Sequence, residues 1–128
     1  MIVLGVGIDL VDVPRVERML ARKGDRVVRK LLTEREQAYV AELHAPARNI
    51  AARIAAKEAA YKAFQSFPDA RGVGWHDLEV FRQADGRPAL QLSGEAERLS
   101  QRYGPLVVHL SLTHSDTVAG AVALLVKA

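Results

Sequence analysis

The chain has 128 residues, 49% hydrophobic and 26% charged, enough for one domain spanning 1–128 with its own core, and no apolar run approaches the ~20 residues of a membrane span. It has no cysteine, which excludes disulfides and thiolate chemistry and fits a reducing compartment, so a cytoplasmic location is expected. The net charge of +3 suggests an anionic partner, while an aromatic content of 5% gives little material for stacking nucleic-acid bases.

Ile2 to Leu10 is apolar apart from Gly5, Gly7 and Asp9. It reads as a buried strand whose glycines let another backbone come close. Met1 to Leu4 belongs to that strand and has no basic leader, so it is not a signal peptide. Asp12 is a helix N-cap and Pro14 a first-turn residue; Val16, Met19 and Leu20 give the apolar face of a short helix ending near Gly24. Arg15, Arg18, Arg22 and Lys23 make its other side basic. Asp25 to Leu32 is a second short amphipathic segment. Thr33-Glu34-Arg35-Glu36 is a capping box opening a helix through about Leu43, and Pro46 ends it.

Ile50 to Phe64, with no Gly or Pro and seven Ala, is the longest helical signal. Ile50, Ile54, Tyr61 and Phe64 fall within about 80° of one another at 100° per residue. Glu58 and Lys62, four apart, are expected to meet on one flank, beside small Ala51 and Ala55. That flank would let a large molecule approach Glu58. Phe67 to Trp75 is a loop with Pro68, Gly72 and Gly74. Leu78 to Phe81 and Leu90 to Leu92 read as strands around an Asp85-Gly86 turn, Gly94 to Tyr103 as a helix, and Leu106 to Leu112 and Val118 to Val126 as strands. The class is α+β: an antiparallel sheet, including the N-terminal strand, packed with a long central helix and short helices.

Two acids stand out. Asp9 lies among apolar residues, where a carboxylate is costly unless paired or metal-bound. Glu58 sits on the central helix. Two oxygen ligands without cysteine suit a hard cation such as Mg²⁺, which completes its shell with waters and substrate phosphates. Lys62 would neutralise charge on a leaving phosphate or protonate it; its structural alternative is simply the partner of Glu58. His109, Ser111 and Thr113 share one strand face and form, with His114, a polar strip able to bond phosphate. A Ser/His nucleophile pair is discounted, because no nucleophile elbow surrounds Ser111 or Ser115. Gly72-Val73-Gly74 alone is too short for a phosphate-loop fingerprint.

Three blocks carry a family resemblance: GVGIDLVDVPRVE at 5–17, RIAAKEAAYKAF at 53–64 and HLSLTHS at 109–115. TEREQAY at 33–39 also fits. In this order and spacing the chain resembles the holo-[acyl-carrier-protein] synthases, the short-chain 4′-phosphopantetheinyl transferases. The resemblance implies their fold and a transfer of 4′-phosphopantetheine from coenzyme A to a serine of apo acyl carrier protein. The transfer releases adenosine 3′,5′-bisphosphate and activates the carrier for fatty acid synthesis. It implies Asp9 and Glu58 as ligands of Mg²⁺, with Mn²⁺ a possible replacement, and Glu58 and Lys62 as catalytic. It places coenzyme A against Lys62, Arg53, Gly72, Gly74, His109, Thr113 and His114, and the carrier protein against Arg15 and Arg22. It also implies a homotrimer with sites between subunits, one chain bringing Asp9, Glu58 and Lys62 and the next Thr113 and His114. The apolar part of Leu106 to Val126 would host the contact.

The chain departs from the family where Gln65 to Arg71 lengthens the loop before Gly72, leaving open which backbone groups there meet the coenzyme. Ile54 and Val27 replace bulkier aromatics, a packing change. A non-enzymatic phosphate- or nucleic-acid-binding module is the rival class, argued by the basic charge. An inactive scaffold subunit is another, which intact Asp9, Glu58 and Lys62 oppose.

Overall fold

The computed structural model describes residues 1–128. Strand β1 (Ile2–Asp12) leads into helices α1 (Val13–Lys23), α2 (Asp25–Leu31), α3 (Glu34–Ala41) and the long α4 (Ala47–Phe64). The hairpin β2 (Leu78–Arg82) and β3 (Pro88–Leu92) follows, then α5 (Gly94–Tyr103), β4 (Leu106–His114) and β5 (Val118–Lys127). One antiparallel sheet has the order β1-β5-β4, and α4 packs on its inner face. The hairpin, expected in the same sheet, forms a two-stranded sheet of its own. Its second strand starts at Pro88, two residues before the apolar run, because a strand's first residue tolerates the missing N–H.

The local signals act as physical chemistry requires. Asp12 caps α1 by accepting from the Arg15 N–H at 3.2 Å. Gly24, at φ 54°, turns the chain from α1 into α2 in a conformation costly for other residues. Thr33 and Glu36 form the reciprocal capping box, with the Thr33 N–H bonded to Glu36 Oε1 at 2.9 Å. The central helix begins at Ala47, directly after Pro46 and three residues earlier than its apolar stripe suggests.

Helix α4 meets β1 through backbone. A Cβ added at Gly5 would run into the Ala63 carbonyl, and one at Gly7 into the Ala59 carbonyl. Glycine is required there because strand and helix approach closer than any side chain allows. With Gly5 and Gly7 facing the helix, the alternate residues Val6, Ile8 and Leu10 point outward. They are 65%, 64% and 71% exposed. This corrects the expectation of a buried strand: β1 is an edge strand, buried on one face only.

Two apolar clusters share α4. One lies between its C-terminal half, the sheet, the hairpin and α5, around Phe64, Leu78, Leu99 and Leu125. The other joins its N-terminal half to α1, α2 and α3, around Val16, Leu32, Ile50 and Ile54. Ala51 and Ala55 are wholly buried in these clusters. They pack the helix and do not themselves line the approach to Glu58, contrary to expectation. Glu36 and Lys57, each 1% exposed, also lie inside, with Lys57 Nζ 2.6 Å from Glu36 Oε1. Losing one partner of such a buried pair typically costs ~3–5 kcal/mol, because the other charge stays desolvated.

Candidate active site

The glycine seam sets Asp9, two residues beyond Gly7 on the same face of β1, against the α4 turn carrying Glu58 and Lys62. Lys62 does not pair with Glu58 as its spacing suggests. Its Nζ reaches across to β1, 3.2 Å from Asp9 Oδ1, and donates to the Ile8 carbonyl at 2.9 Å. A cross-strand acceptor fixed by the backbone seam wins over a weak i,i+4 pairing on a solvated helix face.

The remaining carboxylate oxygen, Asp9 Oδ2, is buried and has no hydrogen-bond partner. Glu58 stands beside it. Its carboxyl is held above the ordinary glutamate value, first by burial, then by the charge of Asp9; Lys62 and Arg15 oppose the shift. Two carboxylates are thus forced together with one oxygen orphaned, an arrangement that a bound cation relieves. No group of three or more His, Cys, Asp or Glu side chains converges in the chain. Two carboxylates with room for water and phosphate oxygens fit Mg²⁺, which seldom takes an all-protein cage.

A consequence for pH follows. Because the folded-state value of Glu58 is raised, its contribution to stability is complete below the unfolded value and lost as pH rises through the folded one. In EDTA, the melting temperature of the wild type should therefore fall relative to that of Asp9→Asn as pH rises above the ordinary glutamate value of ~4.3. Parallel melting curves against pH for the two proteins would show that Asp9 does not act on Glu58.

The surrounding space divides in two. A groove of about 910 Å³ runs between α1 and α2 to the carboxylates, lined by Asp9, Glu58 and the cations Arg15, Arg22, Arg26 and Lys30. A smaller cavity of about 300 Å³ is lined by Glu58, Tyr61, Lys62, Gly74 and Trp75. Trp75 borders both. Gly74 therefore reaches the site, whereas Gly72 packs beside Glu95 of α5.

Arg53 does not join this group. It is 7% exposed, its Nε 3.7 Å from Glu36 Oε2, its guanidinium hydrogen-bonded to Asn49 and stacked 4.7 Å over the Tyr39 ring. It serves the interior of the helical cluster, and burial pulls its pKa down. Sequence reasoning missed Trp75 and the Glu36–Lys57 pair. Lys57 follows Ile50 by seven residues, about 20° from it around the helix, so it sits within the apolar stripe. A lysine there signals a buried charge that needs a partner.

His109, Ser111 and Thr113 alternate outward on β4, all exposed, as expected. The register Thr113–Gly120–Leu10 puts Thr113 two strands from β1, about 10 Å away, on the sheet face opposite Asp9. His109 and His114 line a third cavity, of about 1230 Å³, with His44, Arg48 and Asp116. None of Asp9, Glu58 and Lys62 borders it. One chain thus holds the carboxylate–lysine cluster and the histidine strip apart.

Known proteins resemble the chain over nearly its whole length. Residues 5–122 match the model of the 4′-phosphopantetheinyl transferase superfamily. The chain is 40% identical to the holo-[acyl-carrier-protein] synthase of Koribacter versatilis, over 96% of this chain and 98% of that protein. It is 38% identical to the Escherichia coli enzyme of the same name, over 98% of both. A crystal structure of the holo-(acyl-carrier-protein) synthase of Bacillus anthracis in complex with CoA (3′,5′-ADP) superposes with a TM-score of 0.79, at 31% identity and complete coverage of both chains. Sequence match, fold and full-length coverage converge, and the chain belongs to the 4′-phosphopantetheinyl transferase superfamily, among its holo-[acyl-carrier-protein] synthases.

Proposed function

We propose that this enzyme transfers 4′-phosphopantetheine from coenzyme A to a serine of apo acyl carrier protein in a Mg²⁺-dependent reaction, releasing adenosine 3′,5′-bisphosphate and readying the carrier for fatty acid synthesis. The observation that carries it is the orphaned Asp9 Oδ2 facing Glu58, whose proton affinity is raised, with Lys62 alongside. Asp9 and Glu58 would hold the ion, which when bound offsets the negative charge of the pyrophosphate oxygens. The chain's own groups do the rest. Lys62 Nζ uses two of its three N–H donors on Asp9 and Ile8, leaving the third for the phosphate that departs. The serine oxygen attacks the β-phosphorus, its bond to phosphorus forms as the bond to the leaving 3′,5′-bisphosphate oxygen breaks, and the serine proton must be accepted. The raised proton affinity of Glu58 suits it to take that proton, directly or through a water.

The cationic groove is the side on which an acidic carrier protein would dock, with Arg15 and Arg22 two helical turns apart on one face of α1. Arg22→Glu should raise KM for the carrier protein by roughly tenfold and leave KM for coenzyme A nearly unchanged, with added salt acting in the same direction. Arg15→Glu should do the same, with some loss of kcat because Arg15 also acts on Glu58. Equal effects of Arg22→Glu on both substrates would place the groove at the coenzyme instead.

The uncovered sheet face supports a homotrimer. Val6, Ile8 and Leu10 of β1, with Val107 and Val122, present an apolar surface that no element of the chain covers. Another copy seated there would remove it from water and bring its own carboxylate cluster to the Thr113 and His114 side. The assembled protein would act in the cytoplasm, as the cysteine-free composition suggests. The deciding experiment for the activity is mass spectrometry of an apo carrier protein incubated with this protein, coenzyme A and Mg²⁺. The carrier should gain one phosphopantetheine on its serine, and an unmodified carrier would overturn the reading.

A further inference from the structure

The buried ammonium of Lys57 spends all three of its donors on three different parts of the chain. Its Nζ lies 2.6 Å from Glu36 Oε1 on α3, 2.7 Å from the Leu31 carbonyl at the end of α2, and 2.9 Å from the Trp75 carbonyl. A lysine has three N–H donors, so this group is fully committed and has none left for a substrate. The Leu31 carbonyl is one of the acceptors that a helix C-terminus leaves unpaired, where positive charge is favoured.

A second bond ties the same two segments together. His76 Nε2 donates to the Arg29 carbonyl of α2 at 2.8 Å. The segment carrying Trp75 and His76 is thus fastened to α2 twice, once from inside through Lys57 and once at the surface. Trp75 is half-buried and forms the wall shared by the cationic groove and the Glu58–Lys62 cavity. Its opposite support is the residue next to Glu58 on α4.

We propose that Lys57, with His76, is a positioning clasp that holds Trp75 as the partition between the Glu58–Lys62 cavity, which we assign to the coenzyme because Lys62 faces the departing phosphate there, and the carrier-protein groove, a role resting on the transferase reading. Lys57 has no donor free for a substrate, and His76 spends its Nε2 on Arg29, so both act through Trp75. Each N–H···O bond fixes the Trp75 segment before substrate arrives, so binding does not have to order it. Loosening the clasp should therefore weaken coenzyme binding and leave the chemical step largely intact.

The chain has a single tryptophan, so intrinsic fluorescence reports this partition alone. Two variants test the clasp. His76→Ala removes the surface bond from an exposed position; Lys57→Met with Glu36→Gln removes the inner one together with its buried ion pair, leaving Arg53 with Asn49 and the Tyr39 ring as its partners. In both, the free protein should show a red-shifted Trp75 emission and stronger quenching by acrylamide. KM for coenzyme A should rise about fivefold or more, with kcat within about twofold, as expected for loss of binding that ground and transition states share. A purely structural role would lower only the melting temperature. Wild-type emission, quenching and KM in folded His76→Ala would overturn the proposal, and that variant decides alone if the double variant does not fold. If the wild type transfers nothing, the transferase reading fails, while emission and quenching without substrate still decide whether the clasp holds Trp75.

Discussion

Asp9→Ala and Glu58→Ala should each lower kcat for phosphopantetheine transfer by roughly a thousandfold, the scale set by several kcal/mol of lost charge stabilisation at ~1.4 kcal/mol per factor of ten. Asp9 has one oxygen engaged by Lys62 and the other orphaned in the interior. The Glu58 carboxyl is pushed above the ordinary glutamate value by burial and by the charge of Asp9 beside it. Removing either acid leaves one carboxylate to hold a divalent ion against pyrophosphate and water. EDTA should abolish wild-type turnover to the same degree, and Mg²⁺ or Mn²⁺ should restore it. Asp12→Ala is the control. That carboxylate caps α1, so its loss should cost ~1 kcal/mol of stability and little turnover. Full turnover in EDTA, or an active Asp9→Ala, would remove the metal from the mechanism.

Mixing two dead proteins should give a live one. Glu58→Ala and His114→Ala, each nearly inactive alone, are incubated under conditions that let subunits exchange. Within one chain, His114 lines a cavity that Asp9, Glu58 and Lys62 do not border. If the site is completed by a neighbour, a mixed trimer contains junctions where an intact carboxylate cluster meets an intact His114. Activity should then recover to a substantial fraction of wild type. If each chain carried its own whole site, every site would contain one lesion and no recovery would follow. A stable, fully active monomer in sedimentation at assay concentration would sink the proposal by another route.

Much of this architecture is legible because it rests on local chemistry. The Asp12 cap, the Thr33–Glu36 box and the Asp85-Gly86 turn need only neighbours within a few residues, and each is present. Asp9 and Glu58 are legible as anomalies, acids that ordinary solvation does not explain. What escapes is decided by partners distant in sequence. Glu36 reads as a capping residue, and its second partner lies 21 residues away. Lys62 reads as the partner of Glu58, yet its acceptor is 53 residues upstream. Burial of β1 on one side only is hidden because glycine fills its inner positions and aliphatic residues its outer ones, the reverse of the usual alternation.

The seam of Gly5 and Gly7 on α4 bears on how this protein tolerates change. The distance between the strand bearing Asp9 and the helix bearing Glu58 is fixed by main-chain atoms, with no side chain as spacer. Cores usually transmit a lost or added methylene to their neighbours as a small displacement. Here the contact is main chain against main chain and contains nothing to resize. Substitutions at Leu99 or Val16 change the packing around α4 without passing through that contact. The carboxylate spacing is therefore insulated from drift in the cores, and the interior can diversify while the reaction centre keeps its gauge.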